Sequence, residues 1–305
     1  MQVPNVRVKG VCSDFTYGRP CTTSSCGLHF PEGWAYIDAH CHLDRLQRTR
    51  RLELSGIGFP TGFRGAVSNH CDPETYHMRR YHEDEPGVRV AIGLHPKKAN
   101  RLTSRVEEEI RSIAKEPKTC AIGEIGLDFS AGSYVSSSTQ MHTFQRLLCV
   151  AAETELPVVL HARDAYNEVF HMCRHGLQPN TPIHLHCFNA NWATAERFLS
   201  CFPNLKLGFT GMVTGREVEP ELLDVVRRVP MNRMVLETDA PYFAPGNTGT
   251  QCGYFSHPGH ALNVAVAVAS IKREKPIKVL RAAFSNTSEL YRGVPHWVVP
   301  WVPAE

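Results

Sequence analysis

Apolar, β-rich runs recur along the chain near residues 35–43, 64–71, 88–95, 120–127, 157–162, 182–188, 205–210 and 234–239. Segments with helical spacing lie between them. Within 139–155, Met141, Phe144, Leu147, Leu148, Ala151 and Ala152 fall on one face at three- and four-residue steps. Trp192, Ala195, Phe198, Leu199 and Phe202 repeat that pattern over 192–202. Over 164–175, Asp164 stands at an N-cap position and Gly176 where a C′ glycine belongs. The strand-like runs are continuously apolar, as in parallel strands buried on both faces. Eight strands alternating with helices over about 260 residues match the usual size of a (β/α)8 TIM barrel. A doubly wound open sheet is the competing fold.

The rhythm begins at residue 34. Residues 1–33 carry Gly, Pro, Ser, Thr and Cys without period and are expected to be an irregular N-terminal extension. The barrel is expected to occupy 34–294. Residues 295–305, with three prolines and two tryptophans, are expected to form a tail against its exterior.

Composition narrows the class. A hydrophobic share of 42% and a charged share of 21% describe a globular protein, and a net charge of +3 argues against coating nucleic acid by charge alone. The 11 cysteines include no C-x-x-C pair. Cys41, Cys120, Cys149, Cys187 and Cys201 fall inside apolar patterns, which favours a reducing compartment over a disulfide scaffold. Cys12, Cys21 and Cys26 lack the paired spacing of a zinc knuckle. The first residues hold no apolar core of signal-peptide length, and no run approaches the ~18 apolar residues of a membrane span. The expectation is a soluble intracellular protein, cytoplasmic or nuclear, with no membrane and no obligate protein partner evident.

The chemistry gathers at strand ends. His40 and His42 close the first run, and alternation along a strand points both to one face, as two ligands for one metal ion. Glu124, His161, His186 and Asp239 end later runs. In an eight-stranded barrel those ends converge on one mouth. Taken singly, each is as well read as a bonded core residue; the set is what carries weight. Four histidines and two carboxylates exceed one tetrahedral ion and suit two divalent metals with a carboxylate bridge. Such a pair activates water and stabilises an in-line phosphoryl displacement, with Asp239 holding that water and taking its proton. The glycines around Glu124 are expected to let a ligand approach closely. Asp38 and His184 lie one layer deeper and suit supporting roles. Asp44 is expected to cap a helix or orient a ligand.

In order along the chain come Asp38-Ala39-His40-Cys41-His42-Leu43-Asp44, Gly93-Leu94-His95-Pro96, Gly123-Glu124-Ile125-Gly126-Leu127-Asp128, His161-Ala162-Arg163-Asp164-Ala165, His186-Cys187-Phe188, Glu237-Thr238-Asp239-Ala240-Pro241-Tyr242 and Asn286-Thr287. Over about 35 to 292 this set resembles the TatD family of metal-dependent deoxyribonucleases, a branch of the amidohydrolase-type barrels, in its longer animal-type form. The resemblance implies two divalent ions (Mg, Mn or Zn), one on His40, His42, Glu124 and Asp239, the other on Glu124, His161 and His186. It implies phosphodiester hydrolysis in DNA, with RNA as a further substrate, as a 3′-to-5′ exonuclease. Asp239 and Glu124 are the implied catalytic residues; His95, Lys97, Arg163 and Glu237 are the candidates for substrate contact.

Three departures touch substrate contacts rather than metal ligands. Lys97 stands where the family often has a second histidine, Asn189-Ala190 replaces Ser/Thr-Gly, and Phe129 replaces a tyrosine. Lys97, Lys98, Arg101 and Arg163 could steer phosphate. Phe129, Phe188, Tyr242 and Phe243 could stack bases or pack the core. The alternatives are a small-molecule ester, lactone or amide hydrolase of the same superfamily, and a non-catalytic scaffold. Glu124, where phosphotriesterase-like relatives carry a carboxylated lysine, favours the nuclease. The intact ligand set argues against the scaffold.

Overall fold

Eight parallel strands lie side by side in chain order. They are β1 (Tyr36–Cys41), β2 (Phe63–His70), β3 (Arg89–Ile92), β4 (Thr119–Asp128), β5 (Val158–Arg163), β6 (Ile183–Leu185), β7 (Leu205–Phe209) and β8 (Met234–Leu236). The computed structural model describes residues 34–57, 59, 62–215, 217–246, 255–291 and 293–294. The expected extension 1–33, with Cys12, Cys21 and Cys26, and the expected tail 295–305 lie outside them.

Closure comes from the residues just past β8. Asp239 donates its backbone N–H to the His40 carbonyl at 2.9 Å, His42 donates to the Ala240 carbonyl at 2.8 Å, and Cys41 and Ala240 form a parallel bridge. The chain is therefore a closed (β/α)8 barrel, and the bonds that close it join two metal-ligand candidates directly.

Helices connect the strands, including α1 (Leu43–Arg50), α2 (Arg79–Glu83), α3 (Ser104–Ala114), α4 (Ser137–Thr154), α5 (Tyr166–Gly176), α6 (Trp192–Cys201), α7 (Pro220–Arg228), α8 (Ala261–Lys272) and α9 (Pro276–Leu290). One apolar layer, with Ile92, Ile122, Leu160, Leu185 and Leu207, lies between strands and helices. A smaller one, with Ile37, Ala39, Val67, Ala91, Ala121, Val159 and Val235, fills the barrel interior.

Local expectations fail where tertiary bonds outweigh pattern. Asp164 does not cap α5: its φ is 54°, the cap position falls to Ala165, and Gly176 is the last helical residue rather than C′. On α4, Met141 and Ala152 are exposed while Gln140 and Thr143 are buried. Gln140 accepts the Asp128 N–H at 2.8 Å and Thr143 donates to the Ala99 carbonyl at 3.0 Å, so the polar pair takes the inner face. Cys149 is exposed; Cys41 and Cys120 are buried as expected.

Candidate metal centre and cleft

His40 and His42 leave the end of β1 on one face with their Nε2 atoms 3.4 Å apart. Asp239 Oδ1 lies 3.4 Å from the first and 3.1 Å from the second. A tetrahedral ion with bonds of about 2.0–2.1 Å needs donor atoms roughly 3.3–3.4 Å apart, so this trio has cation-site spacing. Nδ1 of His42 donates to the Asn69 carbonyl at 2.9 Å, which leaves its Nε2 lone pair facing the site. Beneath them, buried Asp38 accepts the Thr238 backbone N–H at 2.9 Å and the Thr238 hydroxyl at 2.5 Å, fixing the residue next to Asp239.

Glu124 on β4 joins this trio to a second group. Its Oε2 lies 3.6 Å from His40 Nε2, 2.9 Å from His186 Nε2 and 3.6 Å from His161 Nδ1. His161 Nδ1 and His186 Nε2 are 3.1 Å apart. The rings of His40 and His186 stack at 4.1 Å, 7° from parallel. The buried Oδ1 of Asp239 has no hydrogen-bond partner among the described residues. Crowded donors around an unbonded buried carboxylate oxygen fit cations better than they fit one another.

Protonation agrees for Glu124, Asp239 and His40. Burial disfavours the Glu124 carboxylate, but the surrounding His95, His186 and His161 rings outweigh it and hold it well below the ordinary glutamate range. Burial likewise opposes ionised Asp239, and the His40 and His42 rings packed against it outweigh burial and hold it below the ordinary aspartate range. His40 is pushed well below the ordinary range, first by burial and then by the charge of His186. His161 and His186 go the other way: against burial, bonds to Asp128 and Glu124 push His161 up to about 9, and the Glu124 carboxylate raises His186. Each must lose a proton to bind a cation.

The other candidates divide. His95 Nε2 lies 3.6 Å from Glu124 Oε1, and Lys97 Nζ 3.4 Å from Asp128 Oδ2. Both residues and Arg163 line a cleft of about 710 Å³ above the centre. Glu237 is fully buried and shut off from that cleft, so it cannot meet substrate as expected. It lies 2.9 Å from His184 Nε2, and His184 bonds the Tyr291 hydroxyl at 2.6 Å, which makes His184 the deeper residue the pattern suggested. Asp44 accepts the Thr75 hydroxyl at 2.6 Å from within α1 rather than capping it.

The glycines near Glu124 have a different cause from the expected ligand approach. A Cβ on Gly126 would meet the His161 carbonyl oxygen at 1.9 Å, and one on Gly123 would meet Val159 Cβ at 2.5 Å. They let β4 and β5 close, which brings Glu124 to His161.

In comparison with known proteins, residues 37–292 match the family model described as TatD-related DNase. The chain belongs to that family. It is 33% identical over 266 residues to the human 3'-5' RNA nuclease TATDN2, covering 84% of this chain and 35% of that protein, so it spans about a third of that relative. It is 30% identical over 204 residues to the 3'-5' ssDNA/RNA exonuclease TatD of Klebsiella pneumoniae, covering 67% of this chain and 76% of that one. The barrel superposes on the TatD homolog YJJV of Escherichia coli with a TM-score of 0.72 at 24% identity, covering 84% of this chain and 97% of that one. The hydrolase TatD family protein of Entamoeba histolytica gives 0.70 at 17% identity, covering 86% and 99%. At those identities the structures speak for the fold.

Within this TatD-related barrel, two cleft residues carried no sequence signal. Cys71, one residue past β2, donates to Glu124 Oε1 at 3.2 Å, and Arg45 on α1 donates to Cys71 Sγ at 3.0 Å. Neither lies in a recurring motif; only the fold brings them to Glu124. Of the aromatic candidates, Phe188 is buried in the core, Phe129 packs against it, and Tyr242 and Phe243 line the cleft. Arg101 pairs with exposed Glu74 and does not line the cleft.

Proposed function

We propose that this protein is a divalent-metal-dependent nuclease that cleaves phosphodiester bonds of DNA or RNA, working 3′ to 5′ from a strand end. The observation that carries the reading is the position of Glu124, with one oxygen 3.6 Å from His40 and 2.9 Å from His186. His40, His42, Asp239 and Glu124 would hold one cation; Glu124, His161 and His186 would hold a second. Mg, Mn or Zn bound there would supply Lewis acidity to the phosphoryl group and lower the pKa of a water molecule. The chain's own residues do the rest. Asp239 stays ionised and accepts a proton from the attacking water at a carboxylate oxygen. His95 and Lys97 face the space above Glu124 and Asp128, and with Arg163 they bind the phosphate and hold it in line.

Membership of the TatD-related family and the nuclease activities of its human and bacterial relatives support this reading. Among the described residues no helix is long and apolar enough to cross a membrane. The free cysteines suit a reducing, intracellular compartment, cytoplasmic or nuclear.

The test is degradation of 5′-labelled single- and double-stranded DNA and RNA with Mg, Mn and Zn in turn, beside Glu124→Ala. Metal-dependent shortening from the 3′ end that Glu124→Ala abolishes is the expected result. A lactone or paraoxon turned over far faster than any nucleic acid would overturn the reading in favour of a small-molecule hydrolase.

A further inference from the structure

Arg45 lies in the first turn of α1, three residues after His42, and extends over the cleft. Its Nη2 is 3.0 Å from Cys71 Sγ and 3.9 Å from Glu124 Oε1, and its Nη1 is 3.4 Å from the Tyr242 hydroxyl. The guanidinium carbon lies 5.5 Å from the centroid of the Tyr242 ring. A weak sulfur acceptor, a long hydroxyl contact and a carboxylate beyond hydrogen-bond reach are poor company for a planar fork of five donors.

The structural arginines of this barrel show the contrast. Arg79 gives Nε and Nη2 to the two oxygens of Glu116 at 3.0 and 2.6 Å. Arg111 does the same to Glu153 at 2.9 and 3.1 Å. No carboxylate among the described residues meets the Arg45 fork in that way. A pair of phosphate oxygens has the matching geometry. Beside it, Tyr242 is 47% exposed at the mouth, with His42 against its edge at 6.2 Å. Of the remaining cleft cations, Arg50 ends α1 on this same wall, whereas Lys97, Lys98 and Arg163 follow β3 and end β5, across the barrel from it.

We propose that Arg45 and Tyr242 form a nucleotide subsite on the β1–β8 wall, Arg45 clamping a backbone phosphate and Tyr242 stacking the attached base. The proposal rests on the nuclease reading above and adds to it which side of the cleft grips the strand. Stacking makes the subsite tolerant of base identity and selective for unpaired nucleotides, whose faces are free. The substrate class is therefore single-stranded nucleic acid or a frayed 3′ end.

The experiment uses the full chain and a 5′-fluorescent single-stranded oligonucleotide, with binding read by anisotropy in EDTA over a KCl series. Cleavage with added metal is followed in parallel. Arg45→Met is expected to weaken binding about tenfold and to flatten the salt slope by about 0.7, the loss of one phosphate contact on a single strand. It should raise KM about tenfold while kcat changes less than about threefold. Arg45→Lys, which keeps the charge without the fork, should restore the slope but only part of the affinity. Tyr242→Ala should weaken binding about tenfold with the slope unchanged, and Tyr242→Phe should match wild type.

An Arg45→Met protein with wild-type slope and KM overturns the subsite, as does one whose only change is a lower melting temperature. Wild-type cleavage with no effect of either residue defeats this inference alone. Wild-type protein that neither binds nor cleaves the oligonucleotide defeats the nuclease reading with it.

Discussion

Lys97 donates its backbone N–H to Nδ1 of His95 at 3.0 Å. A neutral imidazole that accepts at Nδ1 carries its proton on Nε2, the atom turned toward Glu124. His42 is arranged the opposite way, its Nδ1 bonded to the Asn69 carbonyl and its Nε2 lone pair free. Two histidines of one cleft are thereby sorted by backbone partners, His42 turning a lone pair toward the centre and His95 an N–H.

That sorting predicts divergent substitutions. His95→Ala should lower kcat/KM by about 10²-fold, the usual cost of losing one donor to a reacting oxygen, and leave bound metal unchanged. His42→Ala should lower bound metal by at least half. Metal content after gel filtration, measured by elemental analysis, separates the two; metal loss in His95→Ala would make His95 a ligand instead.

Glu124 makes a stronger prediction because both donor groups share it. Glu124→Ala should strip cations from both groups and cut activity by at least about 10³-fold, since a preorganised electrostatic clamp is lost as a unit. Calorimetric titration with Mn²⁺ should find no site of wild-type affinity. One cation retained at full affinity would show that the two groups do not depend on a bridge.

Much of this centre was legible in the sequence because strand alternation is geometric. His40 and His42 had to share a face, and ligand types near the end of β1, within β4, late in β5 and just past β6 and β8 had to meet once the sheet closed. What escaped was set by tertiary contact. Arg45 and Cys71 have no periodicity to announce them and approach Glu124 only across the mouth. Gln140 and Thr143 stand outside the apolar face read for this helix because hydrophobic spacing cannot register a polar side chain buried for a bond to β4 or to Ala99. Glu237 followed the alternation correctly onto the face of Asp239, but one layer down, where His184 and the Cys187 N–H, the latter at 2.5 Å, enclose it.

The β4–β5 contact can be tested through Gly126. Its φ of 146° is a region side chains rarely adopt, and an added Cβ would meet the His161 carbonyl oxygen at 1.9 Å. Gly126→Ala should cost about 3 kcal/mol or more in urea unfolding, through backbone strain and a forced separation of the strands. The protein that remains folded should bind less metal, because His161 moves with β5. Wild-type stability would mean that the strands yield at this point without cost.

Acid stability offers a test away from the cleft. His82 on α2 is buried, its Nδ1 has no partner among the described residues, and its ring lies 5.6 Å from that of His70. Burial pushes it down to about 4, with the nearby Asp44 carboxylate opposing only in part. In the unfolded chain the ring protonates near pH 6.5. Above that pH both states are neutral and the residue contributes its full share of stability. As pH falls from about 6.5 through about 4, the unfolded chain takes up a proton that the folded protein resists, and stability is lost. The loss between pH 7 and 4.5 should be about 2 kcal/mol smaller in His82→Gln than in wild type, measured by urea unfolding at both values. Equal losses in the two proteins would assign the acid limb to other groups, with His70, itself buried and pushed down to about 3, the first to examine.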